Sequence, residues 1–583
     1  MSYIIITNVL LTFISVPANA NGITAVHKSG QTFITWSENT DSEIHYNLYR
    51  SDKMITTENL ESAELIASRI SSGSSVDLLA KQHLNLPYIK PVKDALGPDW
   101  YQIVSIAQPA DPAPKGLVVT PFGKPLSAGT GLYVYNIDTP AISYYAFTKV
   151  DKSDKEERII IPCVNATTAP IKETTATPKP VMEKLKKAES GETFRYYTHW
   201  STKDIALKEN IAFKFEVQVG EDVGKDEPSS LILLLHGAGG AETLPVPTEK
   251  NVVMIVPNNY TPGFPFVYDW WYGYNTNCYG GDVTKGVNIN YTERRLLYIL
   301  DWAKSEFNID ENRVYLTGTS MGGTGTLNFG LRHPEIFAAI FANVPHTNTG
   351  DGISDHEGWF TGMWGKRSDA VKTDEGINIW DRLNMTEYVR DLRNEIPYVK
   401  TISARADVAM PWRQVPPFIH AMNDAKRGFV SGWGLGVHNL PFEDRPVIVR
   451  KFDIYRLAKN MSYPAFSNSS INDDPGNGDA ADGAPIGQVN GGLDWRVLSD
   501  EKKMWAAEIK SYDEINTSVV TDITPRRIQK MQVKKGAKYY FTNNDLGGNV
   551  LQSGYIEPDS SNLITLKSIM ISSAGNVITM IRK

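Results

Sequence analysis

The residues best suited to chemistry form one stretch, Val314 to Gly323. It reads Val-Tyr-Leu-Thr-Gly-Thr-Ser-Met-Gly-Gly, so an apolar run ends in Gly-x-Ser-x-Gly, and Thr324 to Arg332 then has helical character. A strand, a sharp turn and a helix in this order hold a serine hydroxyl exposed at a sheet edge. Such a hydroxyl becomes a nucleophile when a base and amide donors lie beside it. The pattern therefore predicts Ser320 as a nucleophile, with the Met321 amide facing the developing oxyanion.

An acid and a histidine follow the serine along the chain. Asp407 comes just after the predicted strand Val399–Ala404, which places its carboxylate at the same sheet edge as the serine. His438 lies in a glycine-rich loop after the predicted helix Val415–Lys426, and the nearby glycines leave it free to reach across that edge. The order serine, acid, histidine predicts Asp407 as the orienting acid and His438 as the base.

Other histidines fit the role of base less well. His420 lies within a predicted helix, His333 ends the helix after the serine, and His236 precedes the serine. His346 follows the predicted strand Phe337–Val344, where it is expected to line the site. His438 therefore remains the predicted base.

A second amide donor is predicted in the loop His236-Gly237-Ala238-Gly239-Gly240. This loop closes the apolar run Leu231–Leu235, and His-Gly-rich loops at such a position supply an oxyanion amide. The main-chain N–H of Ala238 or Gly237 would join that of Met321, and His236 would then be structural.

The elements that carry these residues alternate between strand and helix from residue 194 to about residue 450. Continuous apolar runs at Leu231–Leu235 and Val252–Val256 are typical of strands buried on both faces of a parallel sheet. Thr292–Phe307 has the pattern of an amphipathic helix and leads into the strand before Ser320. The alternation predicts an α/β fold with a doubly wound sheet.

Both flanks have β patterns. Residues 22–163 contain β-branched and aromatic runs such as Gln31–Trp36 and Ser143–Thr148, which predict an N-terminal β-sandwich. Residues 164–193 are rich in Thr, Pro and Lys and are predicted as a linker. Residues 451–583 return to strand patterns and predict a C-terminal β-sandwich.

The first twenty residues have the features of a secretory signal peptide. Ile4 to Val16 is mostly apolar, and Ala18-Asn19-Ala20 fits the small-x-small cleavage pattern, although no Lys or Arg precedes the apolar run. An N-terminal strand is the alternative. The signal would direct the protein to the periplasm or outside the cell, and no other stretch is long and apolar enough to span a membrane.

Residues 205–445 resemble the α/β-hydrolase superfamily, particularly the feruloyl and acetylxylan esterases of carbohydrate esterase family one and related polymer esterases. The resemblance is carried by His236–Gly240, Arg313–Gly323, Asp407 in Ala-Asp-Val-Ala-Met-Pro-Trp, and Trp433–His438. The base loop has Gly-Val-His-Asn where Gly-Gly-His-Gly is commoner. The resemblance implies hydrolysis of a carboxylic ester on a polysaccharide or similar polymer, without a metal or organic cofactor.

The N-terminal flank resembles a fibronectin type III domain. The Trp36 strand, Tyr46-Asn47-Leu48-Tyr49-Arg50 and Tyr144-Tyr145-Ala146-Phe147-Thr148 carry this resemblance, while the long segment Ser71–Ala128 departs from a minimal version of that fold. The resemblance implies a binding or spacer module.

Four residues are candidates for contact with substrate. Trp270 and Trp271 lie in the aromatic stretch Tyr268–Tyr274, which could form a platform for a sugar or aryl group. Packing within a long loop is the alternative. His346 and Trp412 complete the set. Between His346 and Pro397 the connection is far longer than usual, which predicts a partly helical cap over the pocket.

Composition excludes some partners. The formal net charge of −7 argues against nucleic acid, since binding to phosphates needs a basic face. The two cysteines, Cys163 and Cys278, form no metal-binding spacing, and free thiols are favoured over a disulfide.

One acidic stretch partly matches the residue pattern of a calcium-binding loop. Asn472 to Gly483 contains Asp473, Asp474, Asp479 and Asp482, but Pro and Ala occupy the third and twelfth places counted from Asp473. The stretch therefore does not fit an EF-hand. An irregular structural Ca²⁺ site and a solvated acidic turn are the two remaining interpretations.

The sequence thus predicts a secreted serine esterase acting on plant, algal or synthetic polyester material. A serine peptidase of the prolyl-oligopeptidase type is the first alternative, because the same elbow serves both reactions. A non-catalytic carbohydrate-binding protein with a vestigial hydrolase core is the second. The acyl group, the polymer and the oligomeric state are left open.

Overall fold

The computed structural model describes residues 22–39, 43–76, 116–189, 191–238, 250–261, 266, 268–352, 356–438, 446, 449, 451–479, 481–512 and 518–583. The predicted signal peptide, residues 1–20, lies outside these ranges. The chain divides into two compact units, the first comprising Met1–Lys81, Ala110–Glu183 and Thr198–Thr202, and the second comprising Gln82–Pro109, Lys184–Tyr197 and Lys203–Lys583.

The first unit is built from β-strands. Within its described residues these are β1 (Thr24–Lys28), β2 (Gln31–Ser37), β3 (His45–Ser51), β4 (Glu64–Ser71), β5 (Thr130–Asn136), β6 (Ala141–Val150), β7 (Glu156–Glu157) and β8 (Ile171–Glu173). One sheet has the order β1-β2-β5 and the other β4-β3-β6-β7, with β8 on β6, and all of the pairings are antiparallel. Trp36, Tyr46 and Phe147 pack together in its core. The fibronectin type III topology stays a prediction.

Residues 164–193 are not the plain linker that their composition suggests, because they contain strand β8. Its last residue, Glu173, is 1% exposed. The carboxylate accepts hydrogen bonds from Thr32 Oγ1 at 2.7 Å, Ser143 Oγ at 2.6 Å and Arg50 Nη2 at 2.7 Å. The composition misleads here because one buried carboxylate, satisfied by distant donors, fixes the segment against the sheet.

The second unit is organised around one sheet. The strands before the C-terminal region are β9 (Val181–Lys187), β10 (Thr193–Trp200), β11 (Ala212–Val219), β12 (Ser229–Leu235), β13 (Val252–Pro257), β14 (Tyr274–Asn275), β15 (Asn288–Ile289), β16 (Ile309–Thr319), β17 (Ala339–Asn343), β18 (Tyr398–Ala404) and β19 (Phe429–Gly434). The α-helices among the described residues are α1 (Tyr291–Glu306), α2 (Met321–Gly330), α3 (Glu357–Trp364), α4 (Ile379–Arg382), α5 (Met385–Arg390) and α6 (Val415–Asp424).

The strand order decides where the site lies. A short edge strand, Gly487–Val489, comes first, and the order then runs β19-β18-β17-β16-β12-β13-β11, with β10 and β9 past β11. The pairs from β19 to β13 are all parallel, whereas β11 is antiparallel to β13. Because parallel strands end at one edge, the residues that follow β12, β16, β18 and β19 meet there. The doubly wound α/β class predicted from the sequence is confirmed.

The long connection between β17 and β18 forms a helical insertion. It contains α3, α4 and α5, and Trp359, Trp364 and Trp380 are buried in it. A buried ion pair, Arg382 Nη2 to Glu293 Oε2 at 2.7 Å, ties α4 to α1. The insertion is therefore anchored to the same layer that supports the sheet.

The C-terminal residues form two antiparallel sheets. Their strands are β20 (Tyr463–Ser467), β21 (Gly487–Val489), β22 (Leu493–Glu501), β23 (Met504–Ser511), β24 (Val519–Arg526), β25 (Tyr539–Asp545), β26 (Val550–Ile556), β27 (Leu566–Ile571) and β28 (Asn576–Arg582). The sheet orders are β20-β24-β27 and β22-β23-β28-β25-β26. Strand β21 belongs to neither of them and pairs antiparallel with β19 in the large sheet.

This region shares a hydrophobic core with the large sheet. Tyr398 stacks on Phe452, whose ring also contacts Trp495 at 5.6 Å between centroids. Residues predicted as a separate domain from 451 onward thus belong to the same compact unit as the sheet. Across the described parts of the chain, no helix is long and apolar enough to cross a membrane.

Candidate active site

Ser320 lies on the sharp turn between β16 and α2. Its backbone has φ 60° and ψ −120°, a left-handed conformation that a non-glycine residue adopts only when its surroundings enforce it. The Ser320 amide donates to the Asn343 carbonyl at 2.9 Å, which ties the turn to β17. A side chain on Gly322 would lie 1.9 Å from the Leu235 carbonyl oxygen, so the close approach to β12 requires glycine there.

The structure brings together the three residues predicted as nucleophile, base and acid. His438 Nε2 is 2.7 Å from Ser320 Oγ, and His438 Nδ1 is 2.7 Å from Asp407 Oδ2. An ionised carboxylate only accepts, so Nδ1 carries the proton and Nε2 accepts from the serine hydroxyl. The His438 side chain is 30% exposed and that of Asp407 is 1% exposed. The order of contacts is that of a Ser-His-Asp triad.

The acid is fixed by its own loop. Oδ1 of Asp407 accepts from the amides of Ala409 and Met410, both at 2.9 Å, which leaves Oδ2 for the imidazole. Carboxylates held by backbone amides keep one orientation. Above the sheet edge the Ala406 amide donates to the Gly436 carbonyl at 3.1 Å, so the acid loop and the base loop are joined directly.

The predicted oxyanion donors lie on either side of the serine. Met321 is the first residue of α2, and the amide at that position has no acceptor within its own helix. A Cβ on Gly237 would be 3.7 Å from Ser320 Cβ, which places this loop beside the nucleophile. Ala238 follows and is exposed. Gly237 therefore lies beside the serine turn, and the role of the Met321, Gly237 and Ala238 amides as oxyanion donors stays a prediction.

His236 is held as a neutral structural residue. Its Nδ1 donates to the Gly237 carbonyl at 2.7 Å, and its Nε2 accepts from the Asn259 amide at 3.0 Å. Burial lowers the pKa of His236 to about 4. The expectation that His236 shapes the loop and is not the base agrees with these contacts.

The aromatic residues proposed as a platform are buried. Trp271 is fully buried, and its Nε1 donates to the His236 carbonyl at 3.2 Å. Trp270 is 1% exposed and packs edge-on to His356 and Phe360, while Trp412 is 3% exposed and lies against Trp433. The burial of Trp270 and Trp271 agrees with the alternative, packing within a long loop. Contact with a substrate stays a prediction.

His346 lies in the same buried region. Gln414 Oε1 accepts from the amides of Thr347 and Asn348, so its Nε2 must be the donor to His346 Nδ1, at 2.9 Å. This arrangement puts the ring proton of His346 on Nε2. Burial first, and the neighbouring His356 second, keep the pKa of His346 well below its ordinary value.

His356 is a site residue that sequence reasoning missed. It precedes α3, packs on the Trp270 ring at 4.6 Å between centroids, and hydrogen-bonds to the backbone of Ala409 in the acid loop. Burial lowers its pKa to about 4, and the charges of His438 and Asp407 act on it as well. The one available signal was its place in the long insertion after β17.

In the acidic stretch near Asp473, several carboxylates accept hydrogen bonds from backbone amides. Asp473 Oδ2 accepts from the Gln488 amide, Asp474 Oδ1 from the Gly476 amide, and Asp482 Oδ2 from the Asn477 amide. In the described part of the chain, no group of three or more acidic, His or Cys side chains could hold a metal ion. The irregular Ca²⁺ site and the solvated acidic turn therefore both stay predictions.

A family model described as "Putative esterase" matches residues 267–390, a span that includes Ser320 but ends before Asp407 and His438. No curated protein matches the chain.

Several solved structures are similar to part of this chain. An S-formylglutathione hydrolase from Agrobacterium tumefaciens is 16% identical with a TM-score of 0.34, covering 44% of this chain and 92% of its own. A ferulic acid esterase is 16% identical with a TM-score of 0.28, and the match covers 42% of this chain and 92% of the esterase. An acylaminoacyl peptidase from Pyrococcus horikoshii is 12% identical with a TM-score of 0.30, covering 72% and 66%.

The strand order, the strained serine turn and the esterase match support an α/β-hydrolase-like fold and a serine hydrolase.

Proposed function

We propose that this protein is a secreted serine hydrolase that cleaves carboxylic esters, such as acetyl or feruloyl groups on polysaccharides or the esters of related polymers. One observation carries the proposal: Ser320 Oγ, His438 and Asp407 are joined by two contacts of 2.7 Å each. The esterase match over the serine turn supports the same class.

The chemistry follows from the positions of these groups. Ser320 attacks the ester carbonyl while His438 Nε2 takes the hydroxyl proton. The Asp407 carboxylate holds the imidazole tautomer and stabilises the imidazolium that forms. The amide of Met321, with that of Gly237 or Ala238, binds the oxyanion. His438 then protonates the leaving alcohol, and water repeats the sequence on the acyl-enzyme. The proposal includes no cofactor.

The rim of the site favours an apolar or polymeric substrate. Three apolar side chains next to the acid and the base are exposed: Val408 at 69%, Leu435 at 57% and Val437 at 61%. Exposed apolar side chains clustered around a reactive group are typical of a surface that contacts substrate. An aryl ester or the face of a polymer chain would cover them.

A serine peptidase remains the alternative, because amide hydrolysis uses the same three residues. The test compares p-nitrophenyl acetate, methyl ferulate and a blocked dipeptide p-nitroanilide as substrates of the full chain and of Ser320→Ala. We expect turnover of the esters that is lost in Ser320→Ala.

Cleavage of the dipeptide without a preference for esters would overturn the esterase proposal and favour the peptidase. If a fluorophosphonate does not label the intact protein, the serine is not activated and a non-catalytic carbohydrate-binding role would be favoured instead.

A further inference from the structure

Arg405 connects the acid loop to a segment far along the chain. It lies between β18 and Asp407 and is 7% exposed. The guanidinium donates to three backbone carbonyls of the acidic stretch and to that of the residue after it, Ala484. The distances are 2.6 Å to Ala484, 2.7 Å to Asp482, 3.2 Å to Gly483 and 3.4 Å to Asp479.

The base loop is attached to the same point. Trp433, in β19 and just before the loop of His438, donates from Nε1 to the Ala484 carbonyl at 2.8 Å. A Cβ on Gly487 would lie 2.4 Å from the Trp433 ring, so β21 packs directly against this indole. One carbonyl oxygen, that of Ala484, therefore accepts from Arg405 and from Trp433.

The backbone continues this connection to the reacting groups. The Arg405 amide donates to the Gly434 carbonyl at 2.9 Å, and the next amide, of Ala406, donates to the Gly436 carbonyl at 3.1 Å. Asp407 is the residue after Ala406, and His438 lies two residues after Gly436. The separation of Asp407 and His438 is thus set by two loops that share the anchor at Ala484.

We propose that Arg405 is a positioning residue for the triad and that residues 481–489, which contain Ala484, are a required part of the catalytic site. The inference rests on the proposed function, since it concerns the geometry of the same Asp407–His438 pair. A planar guanidinium can span several carbonyls at once, whereas a lysine ammonium cannot reproduce that fork.

The chain provides a matched control. Arg427 is also buried, and its guanidinium donates to three carbonyls, those of Val389, Asn394 and Asp391, at 2.8 to 3.0 Å. Its partners lie in the helical insertion and the turn after it, not in the acid or base loop. Arg405→Lys and Arg427→Lys therefore remove similar bonds at sites with different connections to the triad.

The test measures kcat, KM and Tm for both variants, together with the rate at which a fluorophosphonate labels Ser320. We expect Arg405→Lys to lower kcat and the labelling rate about 10- to 100-fold with KM nearly unchanged, because a small misplacement of catalytic groups has effects of this size. Arg427→Lys should lower Tm and leave kcat within about twofold. A wild-type kcat and labelling rate in folded Arg405→Lys would overturn the inference.

A second variant keeps the test decisive if Arg405→Lys does not fold. Trp433→Phe removes the other donor to Ala484, and we expect it to lower the labelling rate as well. When both variants fold, their combined effect should be less than the product of the single effects, because they act through one acceptor. Independent effects, or no effect of Trp433→Phe, would contradict the shared anchor. Fluorophosphonate labelling reports on Ser320 whatever the natural substrate is. If the wild type is labelled but does not hydrolyse the esters, that result contradicts the esterase proposal and leaves the inference about Arg405 testable by labelling.

Discussion

His438 Nε2 lies 2.7 Å from Ser320 Oγ, although the two residues are 118 positions apart in the sequence. The serine is fixed by a strained turn whose amide donates to β17, while the histidine is on a loop that is joined to the acid loop by backbone hydrogen bonds. Their contact is therefore produced by separate elements of one sheet edge. The predictions below test these elements in turn.

Asp407→Asn should lower kcat/KM by roughly 10³- to 10⁴-fold with little loss of stability. The amide oxygen can still accept from Ala409 and Met410, but the NH₂ group would then face His438 Nδ1 and favour the wrong tautomer. Asp301→Asn, on the exposed side of α1, serves as the matched control and should retain full activity, since its side chain is 80% exposed. The measurement is kcat/KM for ester hydrolysis by each variant. Equal values for the two variants would contradict the assignment of Asp407 as the acid.

Gly322→Ala should prevent folding or abolish activity, since its Cβ would lie 1.9 Å from a backbone carbonyl oxygen that cannot move without distorting β12. A soluble, fully active Gly322→Ala protein would refute the close packing of the turn.

Gly237→Ala should fold, because the nearest neighbour of its new Cβ would be the Thr319 carbonyl oxygen at 3.3 Å. If the Gly237 loop supplies an oxyanion amide, a shift of that loop by a few tenths of an ångström should lower kcat more than it raises KM. Circular dichroism reports whether each variant folds, and initial rates report its activity.

Trp271→Phe should destabilise the protein by about 2 kcal/mol, from the lost hydrogen bond to the His236 carbonyl and the void left by the smaller ring. The measurement is the free energy of unfolding in urea, together with KM for an aryl ester. A rise in KM without loss of stability would show that Trp271 contacts substrate, as the sequence pattern suggested, and that its buried packing is not its main role.

Stability should fall as the pH is lowered from about 6.5 toward 4. The ordinary pKa of histidine is 6.5, and burial lowers that of folded His236 to about 4, so the unfolded chain binds more protons between these values. His236 alone should cost about 2 kcal/mol at pH 5 relative to neutral pH. Urea unfolding of the wild type and of His236→Gln at several pH values measures the difference, and equal pH slopes for the two proteins would contradict a neutral buried His236.

The arrangement of the candidate site could be predicted from the sequence because its steric requirements are local. Ser320 needs a strained turn with glycines on both sides, and the consecutive residues Gly318 to Gly322 show this pattern directly. The order of Asp407 and His438 after the serine, and their places after predicted strands, then sufficed to select them. The doubly wound sheet followed from apolar runs such as Leu231–Leu235, which only burial on both faces explains.

What could not be predicted depends on contacts between distant parts of the chain. The role of Arg405 requires carbonyls that come about 80 residues later, and no local pattern marks a backbone acceptor. His356 reaches the acid loop only because the insertion folds back on it. Trp270 and Trp271 have the same composition whether they form an open platform or a buried support, so the sequence could not decide between the two.

The measurement that tests the central claim most directly is mass-spectrometric mapping of a fluorophosphonate adduct on the intact protein, combined with ester turnover. The account predicts a single adduct on Ser320, absent from Ser320→Ala and strongly slowed in His438→Gln, with loss of ester hydrolysis by a factor on the order of 10⁴ or more in Ser320→Ala. Undiminished hydrolysis by folded Ser320→Ala, or an adduct on another residue, would contradict it.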